Sequence, residues 1–223
     1  MRLIAALSLG LLAVAAGAQT WTFDSGAEGW RINDLIGGQD WKTSVNTYTV
    51  DWNTTGGNPG GFISAVDPSS NTFAFEAPVA QLGNYSSYLG GTLSFSLQST
   101  ASTWVSDNVV VFRGGTDDSV VVAEINPLPA TTWTDYAIDL DSSNFRFNGK
   151  GGAAVSAEAF SKVMTNITAM YISAEYGASP PWETTGLDSV SFKVAIPEPS
   201  TTAALLGAAA LLVVGVSRYR RKR

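Results

Sequence analysis

Between residues 20 and 194 the chain alternates short apolar and polar runs with clusters of Gly, Asn, Asp, Ser and Thr. Alternation at period two puts every second side chain on one face, the pattern of a half-buried strand, and the polar clusters between runs supply turns. Residues 91–97 place Leu93, Phe95 and Leu97 together, and residues 134–140 do the same with Tyr136, Ile138 and Leu140. On this pattern strands are expected at 20–24, 48–52, 61–65, 72–76, 92–98, 108–112, 119–124, 132–140, 167–175 and 188–194. One helix is expected at 156–165, where Ser156 can cap the N-terminus and Ala159, Phe160 and Val163 share a face. Many short strands with one short helix predict an all-β fold, an antiparallel jelly-roll-type sandwich. No internal repeat is visible.

The two ends read differently. Arg2 precedes an apolar run at 3–16, and Ala16-Gly17-Ala18 offers the small residues that a signal peptidase requires. Cleavage between Ala18 and Gln19 is expected, removing an N-terminal signal helix and leaving one domain at 19–195. At the other end Ile196-Pro197-Glu198-Pro199-Ser200 precedes a weakly apolar run at 201–217 and the basic cluster Arg218, Arg220, Arg221, Lys222 and Arg223. A run of about 17 residues is near the lower limit for a transmembrane helix, and the flanking basic residues should stay cytoplasmic. Taken alone, that order also suits an ordinary tail anchor. The string IPEPS, a short span and then YRRKR resembles the PEP-CTERM sorting signal of Gram-negative bacteria. The resemblance implies an exosortase-type partner enzyme that recognises Pro197, Glu198 and Pro199, removes the helix and passes the protein to the cell surface.

Composition narrows the chemistry. Residues 19–196 carry seven basic side chains against 18 acidic ones, a net −11, which disfavours nucleic acid or anionic lipid as a partner. The chain has no Cys and no His. Disulfides, Ser-His-Asp and Cys-His catalysis and most transition-metal sites are thereby removed, leaving carboxylate, hydroxyl and aromatic chemistry.

The strings FDSGAEGW at 23–30, GGNPGGFIS at 56–64, FEAPVAQLGNYSSYLGGTLSFSL at 75–97, and NITAMYISAEY followed by GLDSVSF resemble the laminin B, or laminin domain IV, module. The resemblance implies a β-sandwich related in shape to carbohydrate-binding modules and no catalytic activity. Phe73 stands where the family pattern leads one to expect tryptophan, and the cysteine-rich repeats that accompany the family's module are absent from this sequence.

Seven tryptophans invite a division of labour. Trp30 and Trp133 sit in motif or strand contexts and are expected in the core. Trp41, Trp52, Trp104 and Trp182 adjoin polar loops. An exposed ring beside Asp and Asn can cover the apolar face of a sugar while polar groups hold its hydroxyls, and the same residues could equally close the ends of the sandwich. Paired carboxylates are the one enzymatic option left, and no spacing picks out a pair. Asp117-Asp118 reads as a solvated turn. Carboxylates also suit a structural Ca²⁺, for which Asp24 and Asp188 are the candidate ligands, because the first and last strands of a jelly roll often lie close together. The expected function is a non-enzymatic, exported surface or matrix protein that binds or is embedded in extracellular polysaccharide. A structural or protein-adhesive module is the alternative, and a carbohydrate-active enzyme a third.

Overall fold

The protein, seen in a computed structural model, is described here for residues 18–36, 41–103, 107–177 and 183–195. Thirteen strands and one α-helix follow one another as β1 (Gln19–Trp21), β2 (Arg31–Leu35), β3 (Ser44–Thr49), β4 (Asp51–Gly57), β5 (Gly60–Val66), β6 (Thr72–Glu76), β7 (Thr92–Ser99), β8 (Val109–Gly114), β9 (Ser119–Glu124), β10 (Thr134–Asp139), β11 (Arg146–Phe147), α1 (Ala157–Met164), β12 (Ile167–Ser173) and β13 (Thr184–Lys193). One sheet runs β10-β7-β13-β5-β4, with β1 also paired to β13, and the other runs β11-β9-β8-β12-β6-β2-β3. Every pairing is antiparallel. The chain is therefore an antiparallel β-sandwich with one short helix.

Period-two alternation decides the core. Leu93, Phe95 and Leu97 of β7 are buried on the inner face and meet Phe73, Phe75, Phe112 and Phe192. Burying each such side chain is worth about 1.5–3 kcal/mol. The helix forms where its signals stand: the Ser156 hydroxyl accepts the Ala159 N–H at 3.2 Å, Glu158 and Lys162 pair one turn apart at 2.9 Å, and Phe160, Val163 and Met164 are buried.

Several boundaries depart from the pattern. The strand expected at 48–52 is broken at Val50, because the chain leaves β3 of one sheet and enters β4 of the other. The first strand stops at Trp21, and Phe23 turns the chain with φ 55°. β13 begins four residues earlier than the expected 188, since Thr184 pairs with β5 and Thr185 to Leu187 find partners on both sides, in β5 and β7. β2, β3 and β11 had no clean alternation. β2 is buried from Ile32 to Leu35, and all six residues of β3 are exposed.

A second apolar cluster lies on the outer face of the seven-stranded sheet, where Val109, Val111, Val120, Val122 and Tyr171 are covered in part by Trp41. Among the described residues no helix is long and apolar enough to cross a membrane, and the run at 201–217 lies outside them.

Candidate functional site

Asp24 and Asp188 grip the same turn. The Asp24 Oδ1 accepts the Gly61 N–H at 3.3 Å, and Gly60 adopts φ 90° so closely beneath that carboxylate that any Cβ would collide with it. Asp188 Oδ2 accepts the Asn58 N–H at 2.5 Å and its Oδ1 the Ser189 N–H at 2.6 Å, while Ser189 returns a hydroxyl bond to the Asn58 carbonyl at 3.0 Å. A Cβ on Gly57 would sit 2.7 Å from Asp188 Oδ2. Burial is the main force raising the Asp188 carboxyl above its ordinary range, opposed by its two backbone N–H donors and reinforced by the negative charge of Asp24. The donor set is all oxygen, which suits a hard cation.

The expected tryptophans part company. Trp52 is 41% exposed, and its Nε1 donates to the Phe23 carbonyl at 2.7 Å, so the ring is held in place while remaining open to solvent. Tyr48, four residues earlier, is 40% exposed. Trp41 is only 3% exposed, stacked obliquely on Tyr171 with centroids 6.2 Å apart. Of the two readings its loop position allowed, the packed one matches the geometry: the Val-rich outer face beneath it offers apolar contact that a polar loop alone does not reveal. Trp104 and Trp182 lie outside the described residues, as do Pro197, Glu198 and Pro199. Ala18 is exposed, and Gln19 opens β1 with its N–H donated to the Tyr88 hydroxyl at 3.1 Å.

Trp30 is core as expected, edge-on to Trp21 at 5.4 Å and to Phe23 at 6.1 Å. Trp133 is not. It lies half-buried on the outer face of the six-stranded sheet, edge-on to Phe62 at 5.2 Å, with its Nε1 donating to the Gly56 carbonyl at 2.8 Å. It precedes β10 by one residue, so the inward positions of that strand do not govern it.

Near Trp41 the outer face carries a charged network. Glu76 Oε2 accepts Arg31 Nε at 2.7 Å and Asn33 Nδ2 at 3.1 Å. Asp118 accepts Arg113 Nε at 2.6 Å, with Lys42 at 3.6 Å, and these cations hold its carboxyl below the ordinary range. The turn expected at Asp117-Asp118 is thus pinned by ion pairs. Tyr48 and three buried acids, Asp67, Glu175 and Glu183, were not singled out in the sequence. Tyr48 had no periodic signal, since all six residues of β3 are exposed. The acids span 117 residues, from Asp67 to Glu183, and have no local signature.

Residues 74–206 match the family model described as laminin B (domain IV). The fold is similar to the L4b domain of human laminin alpha-2, with TM-score 0.63 and 18% identity over 80% of this chain and 98% of that one. It is also similar to the family 11 carbohydrate-binding module of the cellulosomal cellulase Lic26A-Cel5E of Clostridium thermocellum, with TM-score 0.53 and 15% identity over 83% and 99% of the two chains. A structure of the Clostridium thermocellum family 11 module in complex with a β-1,3-1,4-mixed-linked tetrasaccharide gives TM-score 0.50 and 14% identity over 82% and 98%. The sequence matches no curated protein.

Proposed function

Because the chain belongs to the laminin B (domain IV) family, we propose that it is a non-enzymatic extracellular module that holds polysaccharide along the β3–β4 edge, with Tyr48 and Trp52 as stacking rings. One observation carries this reading. Tyr48 pairs with Ile32 and Trp52 with Ile63, both inward-facing core residues, yet each aromatic stays about two-fifths exposed because β3 and β4 are the edge strands of their sheets. Both rings therefore project on the core side of the edge, where no further strand covers them. Exposed Asn46 lies two residues from Tyr48 and Thr54 two residues from Trp52, and both can hydrogen-bond sugar hydroxyls, while the indole anchored on Phe23 presents a preorganised apolar face. The fold shared with a tetrasaccharide-binding module supports the same reading.

The export route is part of the proposal. Signal peptidase cuts between Ala18 and Gln19, and an exosortase-type enzyme acts at Pro197 to Pro199. The retained segment then contains every strand of the described residues, since β1 begins at Gln19 and β13 ends at Lys193. A second reading, protein adhesion, rests on β3 itself, an edge strand with six exposed residues that could receive another chain's strand.

Affinity electrophoresis on neutral and acidic polysaccharides tests the first reading. Trp52→Ala should weaken retention about tenfold or more, as loss of about 1.4 kcal/mol of contact requires, whereas Trp52→Phe keeps a ring and most of the binding. Both variants lose the bond to the Phe23 carbonyl and should melt slightly and similarly lower. Unchanged retention of Trp52→Ala on every gel that retards the wild type would remove the stacking role. Retention on none, with wild-type protein, would favour adhesion.

A further inference from the structure

At the end of the sandwich where β5 runs out and β13 begins, three carboxylates from separate segments converge. Asp67 follows β5, Glu175 follows β12 and Glu183 precedes β13; one ligand oxygen from each lies within 4.8 Å of the others. They are 2%, 9% and 2% exposed. Backbone N–H groups orient all three. Ser69 donates to Asp67 Oδ1 at 3.0 Å, Phe73 to Glu175 Oε2 at 3.4 Å, and Tyr176 and Gly177 to Glu183 Oε1 at 2.6 and 2.7 Å. Each carboxylate thus has one oxygen fixed and another left over. Gly177 is required for this, because a Cβ there would run into Glu183 Oε2.

One of these remaining oxygens is demonstrably unsatisfied. Asp67 Oδ2 is fully buried and has no hydrogen-bond partner among the described residues. None of the ion pairs there involves Asp67, Glu175 or Glu183, since Arg31, Lys42, Arg113, Lys150 and Lys162 pair with Glu76, Asp118, Glu124 and Glu158. The other charged groups facing the cluster are also acids. Asp34 is held by Ser69 Oγ at 3.0 Å, and Asp107 by Thr72 Oγ1 at 3.0 Å. Buried anions with no cation must be met by protons or by a metal ion.

We propose that Asp67, Glu175 and Glu183 bind a Ca²⁺ ion that joins the ends of the two sheets. Three carboxylates with no nitrogen or sulfur donor form the set of a hard cation. With metal–oxygen distances of about 2.3–2.6 Å and flexible geometry, Ca²⁺ accepts ligand oxygens at separations up to this limit, whereas Mg²⁺ demands about 2.0–2.1 Å and near-ideal octahedral geometry. Backbone carbonyls and water complete its coordination. The site is separate from Asp24 and Asp188. Along β13 alone, Glu183 and Asp188 are five residues apart, about 16 Å of extended chain. In the metal-free state burial and mutual repulsion hold Glu175 up to about 8 and Asp67 up to about 6, so binding at neutral pH displaces a proton.

The test uses Asp188→Asn, which removes the carboxylate at the other end while keeping an acceptor for the Asn58 N–H. Metal-free protein is titrated with CaCl2 alone at pH 7 by calorimetry, in two buffers of different ionisation enthalpy, and its melting is followed. The expected result is one bound Ca²⁺, release of up to about one proton, and a melting temperature several degrees higher. Glu175→Gln in the same background should stay folded and lose binding, proton release and the thermal shift together. If Asp188→Asn does not fold, wild type and Glu175→Gln are compared, and the loss of one Ca²⁺ per chain is the expected difference. Ca²⁺ binding unchanged by Glu175→Gln overturns the site, as does a folded Asp188→Asn protein indifferent to Ca²⁺. Equal response to MgCl2 overturns the choice of ion.

Discussion

Asp188 accepts the backbone N–H of Asn58 at 2.5 Å across 130 residues of chain, so the last strand holds the turn between β4 and β5. Asp188→Ala leaves that N–H unpaired in a half-buried position and should cost about 1–2 kcal/mol. Gly60→Ala should cost at least as much, because φ 90° strains any residue with a Cβ and Asp24 must be displaced as well. Urea unfolding monitored by tryptophan fluorescence measures both. Wild-type midpoints for both variants would mean that the turn is held by other contacts.

Trp30 and Trp133 should respond unequally to alanine. Trp30 is enclosed by Trp21 and Phe23, so its removal should cost about 3–5 kcal/mol. Trp133 is half-buried on an outer face and loses one hydrogen bond and one ring contact, so about 1–2 kcal/mol is expected. Equal destabilisation in calorimetric melts would contradict the placement of Trp133.

Metal-free protein should show an unusual dependence on pH. The folded pKa values of Glu175 and Asp67, about 8 and about 6, lie above their ordinary 4.5 and 3.8. The stability these groups contribute is therefore complete below about pH 4 and is lost as pH rises through 6 and then 8. Asp118 and Glu158, lowered by their ion pairs, act in the opposite sense at acid pH. Comparison with Glu175→Gln in the presence of chelator isolates the effect. The two proteins should melt together near pH 4.5 and diverge toward pH 8, with the variant the more stable. Coincident melting at pH 8 would show that Glu175 carries no penalty.

The secreted protein should begin at Gln19 and end near Pro197. Intact-mass measurement of the surface form checks both ends at once. A surface form still bearing Arg218 to Arg223 would identify the tail as a plain anchor.

Much of the architecture was legible because it follows from side-chain period. Alternation in β7 and β10 specified which residues face inward whatever their partners, and Ser156 with Phe160 and Val163 specified the helix from within ten residues. Both are local effects, set by backbone geometry and one buried face. β3 was illegible for the same reason, since with all six residues exposed it carries no alternation.

What the sequence determined by itself was the all-β class and the chemistry closed to a chain without Cys or His. Tertiary structure alone decided that Trp41 folds down onto Tyr171, that Tyr48 and Trp52 remain open at two sheet edges, and that Asp67, Glu175 and Glu183 meet. The reason is physical. Burial and charge proximity depend on which strands pair and in which register, and pairings between residues more than a hundred positions apart leave no periodic trace in either segment.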